Sequence, residues 1–213
     1  MTGRRALAAV AVVAALLYLA ALVTDRPSLR LASKPVPALA LAALVLSSRR
    51  DGYATALAGG LVLSALGDAL LELPGHFVAG LAAFLCAHVA YTAAFLGDER
   101  RLRASRAAPF VVWLLAAFTY VRPGLGEMAV PVVVYMFAIG GMLWRAAARG
   151  GDHPRAEAAV VGAVLFGLSD TLIAIDRFRA PLPGASFAII LLYWAGQAGI
   201  AASALPADDP RPA

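Results

Sequence analysis

Long apolar runs, each close to the length needed to cross a bilayer, follow one another along almost the whole chain. A transmembrane helix needs about 20 mostly apolar residues. A backbone inside lipid must also satisfy its own hydrogen bonds, which favours helices. The predicted fold is therefore an all-α integral membrane bundle. We predict eight transmembrane helices, at residues 6–23, 35–48, 53–72, 75–96, 107–122, 127–149, 156–178 and 185–205.

Short polar islands rich in Gly, Pro and Arg separate the runs, for example SSRRDG, LPG and RPGLGE. Only 15% of the residues are charged, whereas a soluble domain carries about a quarter. Eight helices leave no room for a soluble domain, so residues 1–206 are predicted to form a single transmembrane domain. The polar, Pro-rich residues 207–213 are predicted to be a disordered tail. The first apolar run exceeds a usual signal-peptide core, which favours an uncleaved first helix.

The basic residues predict the orientation of the bundle. An even number of helices places both termini on one side, and the eighteen Lys and Arg residues divide twelve to six in favour of that side. The positive-inside rule then predicts cytoplasmic termini. The net charge of +5 is explained by this topology signal, and no nucleic-acid partner is predicted. The Ala- and Arg-rich, Lys-poor composition is typical of a GC-rich bacterium, which predicts the bacterial inner membrane.

A weak internal repeat relates the two halves. LVLSALGDALL at 61–71 aligns without gaps with AVLFGLSDTLI at 163–173, and each aspartate is followed 23 residues later by a tyrosine. The bundle can therefore be divided into two parallel four-helix repeats, as in some transporters. In a chain so rich in Ala and Leu, a chance match is an equal alternative.

Three ionisable side chains fall deep inside apolar runs: Asp68, His88 and Asp170. A charged group at the centre of a membrane helix costs roughly 3 kcal/mol. The presence of each of these side chains therefore requires a structural or functional explanation. Buried structural pairing is one reason. Catalysis is the other, because two carboxyl groups can divide into a proton donor and a base. A zinc site on these side chains is a further option, but a single Cys and no H-E-x-x-H motif argue against it, and no metal is predicted.

Other polar side chains in the helices are candidates for substrate binding: Lys34, Tyr91, Tyr135, Tyr193 and Gln197. Such groups often only bond neighbouring helices together. A lysine at a helix start also commonly extends to the membrane surface as an anchor. Under the predicted topology most of these groups fall in the half of the membrane opposite the termini, where one cavity can collect them.

Five segments occur in a characteristic order: SKPVPAL, LGDALLELPGHFVAGLAAFLCAHVAY, PVVVYMF, GAVLFGLSDTLIAIDRF and YWAGQAGIA. Together, from about residue 33 to residue 202, they resemble the YhhN-type lysoplasmalogenase family of membrane proteins. One departure is YWAGQ, where the family pattern has Tyr-Tyr; this puts a role for Trp194 in doubt. The resemblance implies eight helices, no required cofactor, and hydrolysis of the vinyl ether bond of lysoplasmalogens to a fatty aldehyde and glycerophosphoethanolamine or glycerophosphocholine.

The chemistry that the resemblance implies fits the buried residues. Vinyl ethers hydrolyse by protonation at carbon, which requires a neutral acid, and a carboxylate then stabilises the cation and activates water. We expect Asp68 and Asp170 to share these roles, His88 to assist, and Lys34 to bind the phosphate of a lysophospholipid among membrane lipids. The sequence does not assign acid and base, and it leaves the oligomeric state open. The alternative is a small proton-coupled transporter or flippase.

Overall fold

A computed structural model describes residues 2–150, 153 and 155–205 of the chain. In these residues the regular structure is helical. The predicted tail at 207–213 lies outside the described residues. The nine described α-helices are α1 (Thr2–Val23), α2 (Pro27–Ser33), α3 (Val36–Ser48), α4 (Gly52–Leu71), α5 (Phe77–Asp98), α6 (Ala108–Val121), α7 (Ala129–Ala148), α8 (Ala156–Phe178) and α9 (Ala185–Ala202).

Eight helical segments are long and apolar enough to cross a membrane, which confirms the predicted all-α membrane bundle. Seven contain one α-helix each, and the second, Pro27–Ser48, combines α2 and α3. The predicted LPG turn links the third and fourth segments, with Gly75 at φ +79°. A backbone of this kind favours glycine because it lacks a Cβ atom.

The predicted start of the second span at residue 35 is wrong. Residues 27–33 form α2, and the Lys34 amide still donates to the Arg30 carbonyl at 2.9 Å, so the chain stays helical up to Pro35. The polar residues of this segment suggested a loop, but its leucines and alanine extend the apolar stretch. Lys34 consequently lies between two helices within the span, and does not begin it.

Close helix packing relies on glycines in two helix pairs, α4 with α5 and α8 with α9. A Cβ atom on Gly60 would lie 2.3 Å from the Tyr91 ring. A Cβ atom on Gly162 would lie 2.5 Å from the backbone nitrogen of Ile200. Small residues let membrane helices approach until their backbones touch. These pairs occupy corresponding places in the two predicted repeats, although the repeat itself stays a prediction.

Two buried arginines at the end of α7 bond to residues at the end of α5. Arg149 is 1% exposed; it stacks 4.6 Å from the centre of the Tyr53 ring and donates to Asp98 at 2.7 and 2.9 Å. Arg145, also buried, donates to the backbone carbonyl of Glu99. These two arginines, counted above as topology signals, therefore also join α5 to α7.

Candidate active site

Asp68 is buried near the end of α4, with 1% of the residue exposed. Its carboxylate Oδ2 accepts a hydrogen bond from the Tyr193 hydroxyl of α9 at 2.6 Å. The Tyr193 ring packs edge-on against Phe84 and Phe166, which hold the ring in place. The first aspartate is therefore oriented by a tyrosine from the opposite half of the chain.

Asp170, on α8, has a tyrosine partner of its own. The Tyr135 hydroxyl of α7 donates to its Oδ2 at 2.6 Å. The Nε2 atom of His88 lies 3.8 Å from the same oxygen, which is beyond hydrogen-bond distance. His88 is fully buried, and its ring lies edge-on to Tyr135 and against Phe166. Neither of its ring nitrogens has a hydrogen-bond partner among the described residues.

Both aspartates line one cavity, which we call the polar cavity. Its volume is about 310 Å³. Besides the two aspartates its charged lining comprises Arg30, Lys34, Glu72, Asp176 and Arg177. Acidic and basic side chains therefore line the same cavity, which opens beside the ends of α4 and α8.

A second, narrower cavity of about 90 Å³, which we call the apolar cavity, adjoins the first. Its lining is almost entirely hydrocarbon, apart from Tyr135, Asp170 and Thr171. Asp170 is the charged group common to the linings of these two cavities. The pair of cavities therefore suits an amphiphile whose polar and apolar parts meet at this carboxyl group.

The predicted site residues fall into two layers. Four of them, Lys34, Asp68, Asp170 and Tyr193, line the polar cavity, and Tyr135 lines the apolar cavity. The other three, His88, Tyr91 and Gln197, are buried behind these linings.

The buried layer contains a hydrogen-bonded chain. The Tyr91 hydroxyl donates to Gln197 Oε1 at 2.7 Å and lies 3.1 Å from the Ser64 hydroxyl. Tyr91 occupies the repeat position of Tyr193, yet Asp170 is bonded by Tyr135. The two aspartates are therefore not held symmetrically.

Glu72 lies at the centre of a cluster of side chains at the mouth of the polar cavity, and it is not among the site residues predicted from the sequence. Its carboxylate lies 2.8 Å from Lys34 Nζ and 3.3 Å from Arg30 Nε, and it accepts the Tyr18 hydroxyl at 3.0 Å. The signal for Glu72 was its position four residues after Asp68, which puts both on one helix face. No local pattern marks Tyr18, which comes from α1.

Trp194, the departure from the family pattern, packs edge-on against Tyr18 with ring centres 5.6 Å apart, so it supports the mouth of the polar cavity from behind. Within the described residues, no group of three His, Cys, Asp or Glu side chains is placed to hold a metal ion.

Comparisons with known proteins identify relatives over most of the chain. The sequence model of the YhhN family matches residues 29–204. The human lysoplasmalogenase TMEM86B is 38% identical over 183 residues, which cover 84% of this chain and 76% of the relative. Its mouse counterpart is 35% identical over 208 residues, covering 95% and 87%. A lysoplasmalogenase of Mycobacterium bovis is 38% identical over 128 residues, covering 55% and 48%. No solved structure matches.

Proposed function

This chain belongs to the YhhN family, and we propose that it hydrolyses the vinyl ether bond of lysoplasmalogens with two intramembrane aspartates. The products are a fatty aldehyde and glycerophosphoethanolamine or glycerophosphocholine. Relatives named lysoplasmalogenase, 34–39% identical over most of the chain, support a hydrolase of this class. The observation that carries the mechanism is the position of Asp170, where the polar and apolar cavities meet.

The reaction needs an acid that protonates one vinyl carbon and a base that activates the water attacking the other, which is bonded to oxygen. A proton adds to the vinyl carbon that bears the hydrocarbon chain, and the carbon bonded to oxygen becomes an oxocarbenium ion. Water adds to that cation and loses a proton. The hemiacetal then breaks its bond to the glycerol oxygen, which takes a proton as the aldehyde leaves. Glycosidic bonds are cleaved by a similar pair of carboxyl groups.

Asp170 is the proton donor in this proposal. A vinyl ether lies between the glycerol and the hydrocarbon chain, so a bound substrate places it where the two cavities join. The carbon that accepts the proton is on the hydrocarbon side, and Asp170 is the acid common to both linings. The surrounding hydrocarbon favours a neutral carboxyl group, which is the form that donates. Tyr135 and His88 act as positioning residues around it.

Asp68 is the base and the stabiliser of the cation. It lines the polar cavity, on the glycerol side, where water arrives. Tyr193 fixes one carboxylate oxygen at 2.6 Å, which leaves the other free to accept a proton from water. The Lys34 ammonium, held by Glu72 at the neighbouring turn, favours a negative charge on this side of the site. Tyr91 and Gln197 support the aromatic wall behind Tyr193. We propose no cofactor for the reaction.

Aldehyde release from a 1-alkenyl lysophospholipid by the purified protein in detergent tests the proposed activity. We expect turnover by the wild type and a loss of at least about a hundredfold in Asp68→Asn and in Asp170→Asn. The matched control is Glu127→Gln, because Glu127 is exposed and lines neither cavity. Intact activity in both site variants would refute the two-aspartate mechanism. Absence of turnover by folded protein, together with proton-coupled uptake into liposomes, would favour a transporter instead.

Azide rescue distinguishes the acid from the base. Azide can replace an attacking water at the cation, but as an anion it cannot supply the proton that creates the cation. We therefore expect azide to restore aldehyde release in Asp68→Ala and to leave Asp170→Ala inactive. The azido ether formed in Asp68→Ala is hydrolysed by water to the aldehyde, hydrazoic acid and the glycerol alcohol. Rescue of Asp170→Ala alone would reverse the assignment.

We also propose that the bundle lies in the bacterial inner membrane with both termini in the cytoplasm. The excess of Lys and Arg on the terminal side supports this orientation. A C-terminal fusion to a reporter that is active only in the cytoplasm tests it. Signal from that fusion is expected, and signal only from a periplasm-specific reporter would overturn the proposed orientation.

A further inference from the structure

We propose that Arg177 binds the phosphate of the lysophospholipid head group, and that the neighbouring Asp176 faces its ammonium group. This inference rests on the proposed function of the same site, and it names the part of the substrate that the mouth of the polar cavity recognises. It assigns to Arg177 the phosphate that the sequence led us to expect at Lys34.

The two other cations of the cavity are already paired. Lys34 Nζ lies 2.8 Å from Glu72, and Arg30 Nε lies 3.3 Å from the other oxygen of the same carboxylate. A phosphate that took either cation would have to compete with this carboxylate. Their charge is therefore largely committed before substrate arrives.

Arg177 is available for an anion. It lines the polar cavity close to the end of α8, and no carboxylate in the described part of the chain forms an ion pair with it. The carbon at the centre of its guanidinium lies 3.6 Å from the centre of the Phe77 ring. Stacking of this kind fixes the plane of the guanidinium while leaving its N–H groups free at the edge. A guanidinium so oriented can donate two parallel hydrogen bonds to a phosphate.

Asp176 provides the complementary charge beside it. One carboxylate oxygen accepts the Leu182 amide at 2.7 Å, which fixes the side chain at the cavity wall. The second oxygen has no ion-pair partner in the described residues. An adjacent positive and negative group matches the phosphate and the ammonium group of a zwitterionic head group. The same pair disfavours a head group that ends in a bare phosphate, because its second negative charge would face the carboxylate.

The spacing along α8 fits a glycerol phosphate. Arg177 follows Asp170 by two helical turns, a rise of about 10 Å at 1.5 Å per residue. The glycerol carbons, the phosphate and an extended arginine side chain together cover this length. Phe77, the ring beneath Arg177, also belongs to the walls of both cavities, so the head-group position is continuous with the reaction position.

Binding of an uncleavable ligand tests the inference separately from catalysis. The probe is a 1-O-alkyl lysophosphatidylcholine, which carries the same head group but a saturated ether. We expect Arg177→Gln to weaken its binding about ten- to hundredfold. Binding of 1-O-alkyl glycerol, which has no phosphate, should change less than about twofold. The matched control is Arg179→Gln, because Arg179 lies two residues on, near the Tyr120 ring, and is not part of the polar cavity wall.

Equal weakening by Arg177→Gln and Arg179→Gln, or an equal loss for the phosphate-free ligand, would overturn the proposal. The role of Asp176 is tested with an alkyl lysophosphatidic acid as a second probe. Asp176→Asn should remove the preference for the choline ligand, and an unchanged preference would contradict that role. Thermal unfolding midpoints establish that each variant is folded. Arg177-dependent binding without aldehyde release from the alkenyl lipid would count against the proposed function and leave the binding site standing.

Discussion

A single methyl group added to Gly162 should push apart the two helices that carry Asp170 and Tyr193. The Cβ atom of Gly162→Ala would lie 2.5 Å from Ile200 N, 2.6 Å from the Gly196 carbonyl oxygen and 2.8 Å from the Gly199 carbonyl carbon. All three are backbone atoms, so no side chain can rotate away. Overpacking of this kind costs roughly 1–3 kcal/mol. The strain can be relieved only by moving α8 relative to α9.

Gly59→Ala is the matched control, because its added Cβ atom meets nothing within 4 Å. Replacing this glycine in α4 should be neutral or stabilise by up to about 1 kcal/mol, since alanine is the better helix former. We expect thermal unfolding in detergent to shift downward for Gly162→Ala by roughly 2–4 °C per kcal/mol. Aldehyde release should fall as well, because Tyr193 moves away from Asp68. Equal unfolding midpoints for the two variants would refute the packing argument.

Three further outcomes are expected. Tyr135→Phe removes the 2.6 Å hydrogen bond to Asp170, and kcat should fall about tenfold with little change in KM; an unchanged kcat would show that the bond does not position the acid. Ala174→Phe adds bulk to the wall of the apolar cavity, so a chain-length series should shift toward shorter alkenyl chains, and an unshifted profile would place the chain elsewhere. Hydrogen bonds from the Arg101 amide and side chain lower the pKa of Glu99 from 4.5 to about 2. Its contribution to stability is therefore present above pH 4.5 and lost as pH falls toward 2. The unfolding midpoint of the wild type should drop across that window more than that of Glu99→Gln, and parallel curves would contradict this.

The helical bundle was predictable from local sequence because each span must satisfy its own backbone within lipid. Hydropathy and length alone therefore identify eight segments. The second span was placed too short because the Arg and Ser residues of α2 suggested a loop. Lipid-spanning helices accept such residues where they face a cavity, and Arg30 and Lys34 both line the polar cavity.

The sequence did not predict which side chains form hydrogen bonds with one another within the site. The cost of placing a carboxyl group in an apolar helix singled out Asp68 and Asp170. Which tyrosine bonds each aspartate depends on how the helices cross, whereas the sequence shows only that a tyrosine follows each aspartate by 23 residues. In the structure Asp170 is bonded by Tyr135, while Tyr91 bonds Gln197. No periodic or compositional signal encodes that difference.

The contact between α1 and the mouth of the polar cavity was also not predictable from the sequence. Tyr18 reaches Glu72 across 54 residues of sequence, and its own run shows only a uniform apolar helix. A long-range contact of this kind follows from the packing of α1 beside α3, which brings the tyrosine to the end of α4.

Hydrolysis in D₂O tests the central claim, proton transfer from Asp170 to the vinyl carbon, most directly. The aldehyde is reduced at once to the alcohol, so that later exchange cannot add label, and its deuterium content is read by mass spectrometry. We expect a single deuterium atom on the second carbon of the product, and we expect Asp170→Asn to form this product at least about a hundredfold more slowly. Release of aldehyde without deuterium at that carbon, or labelling by Asp170→Asn at the wild-type rate, would contradict it.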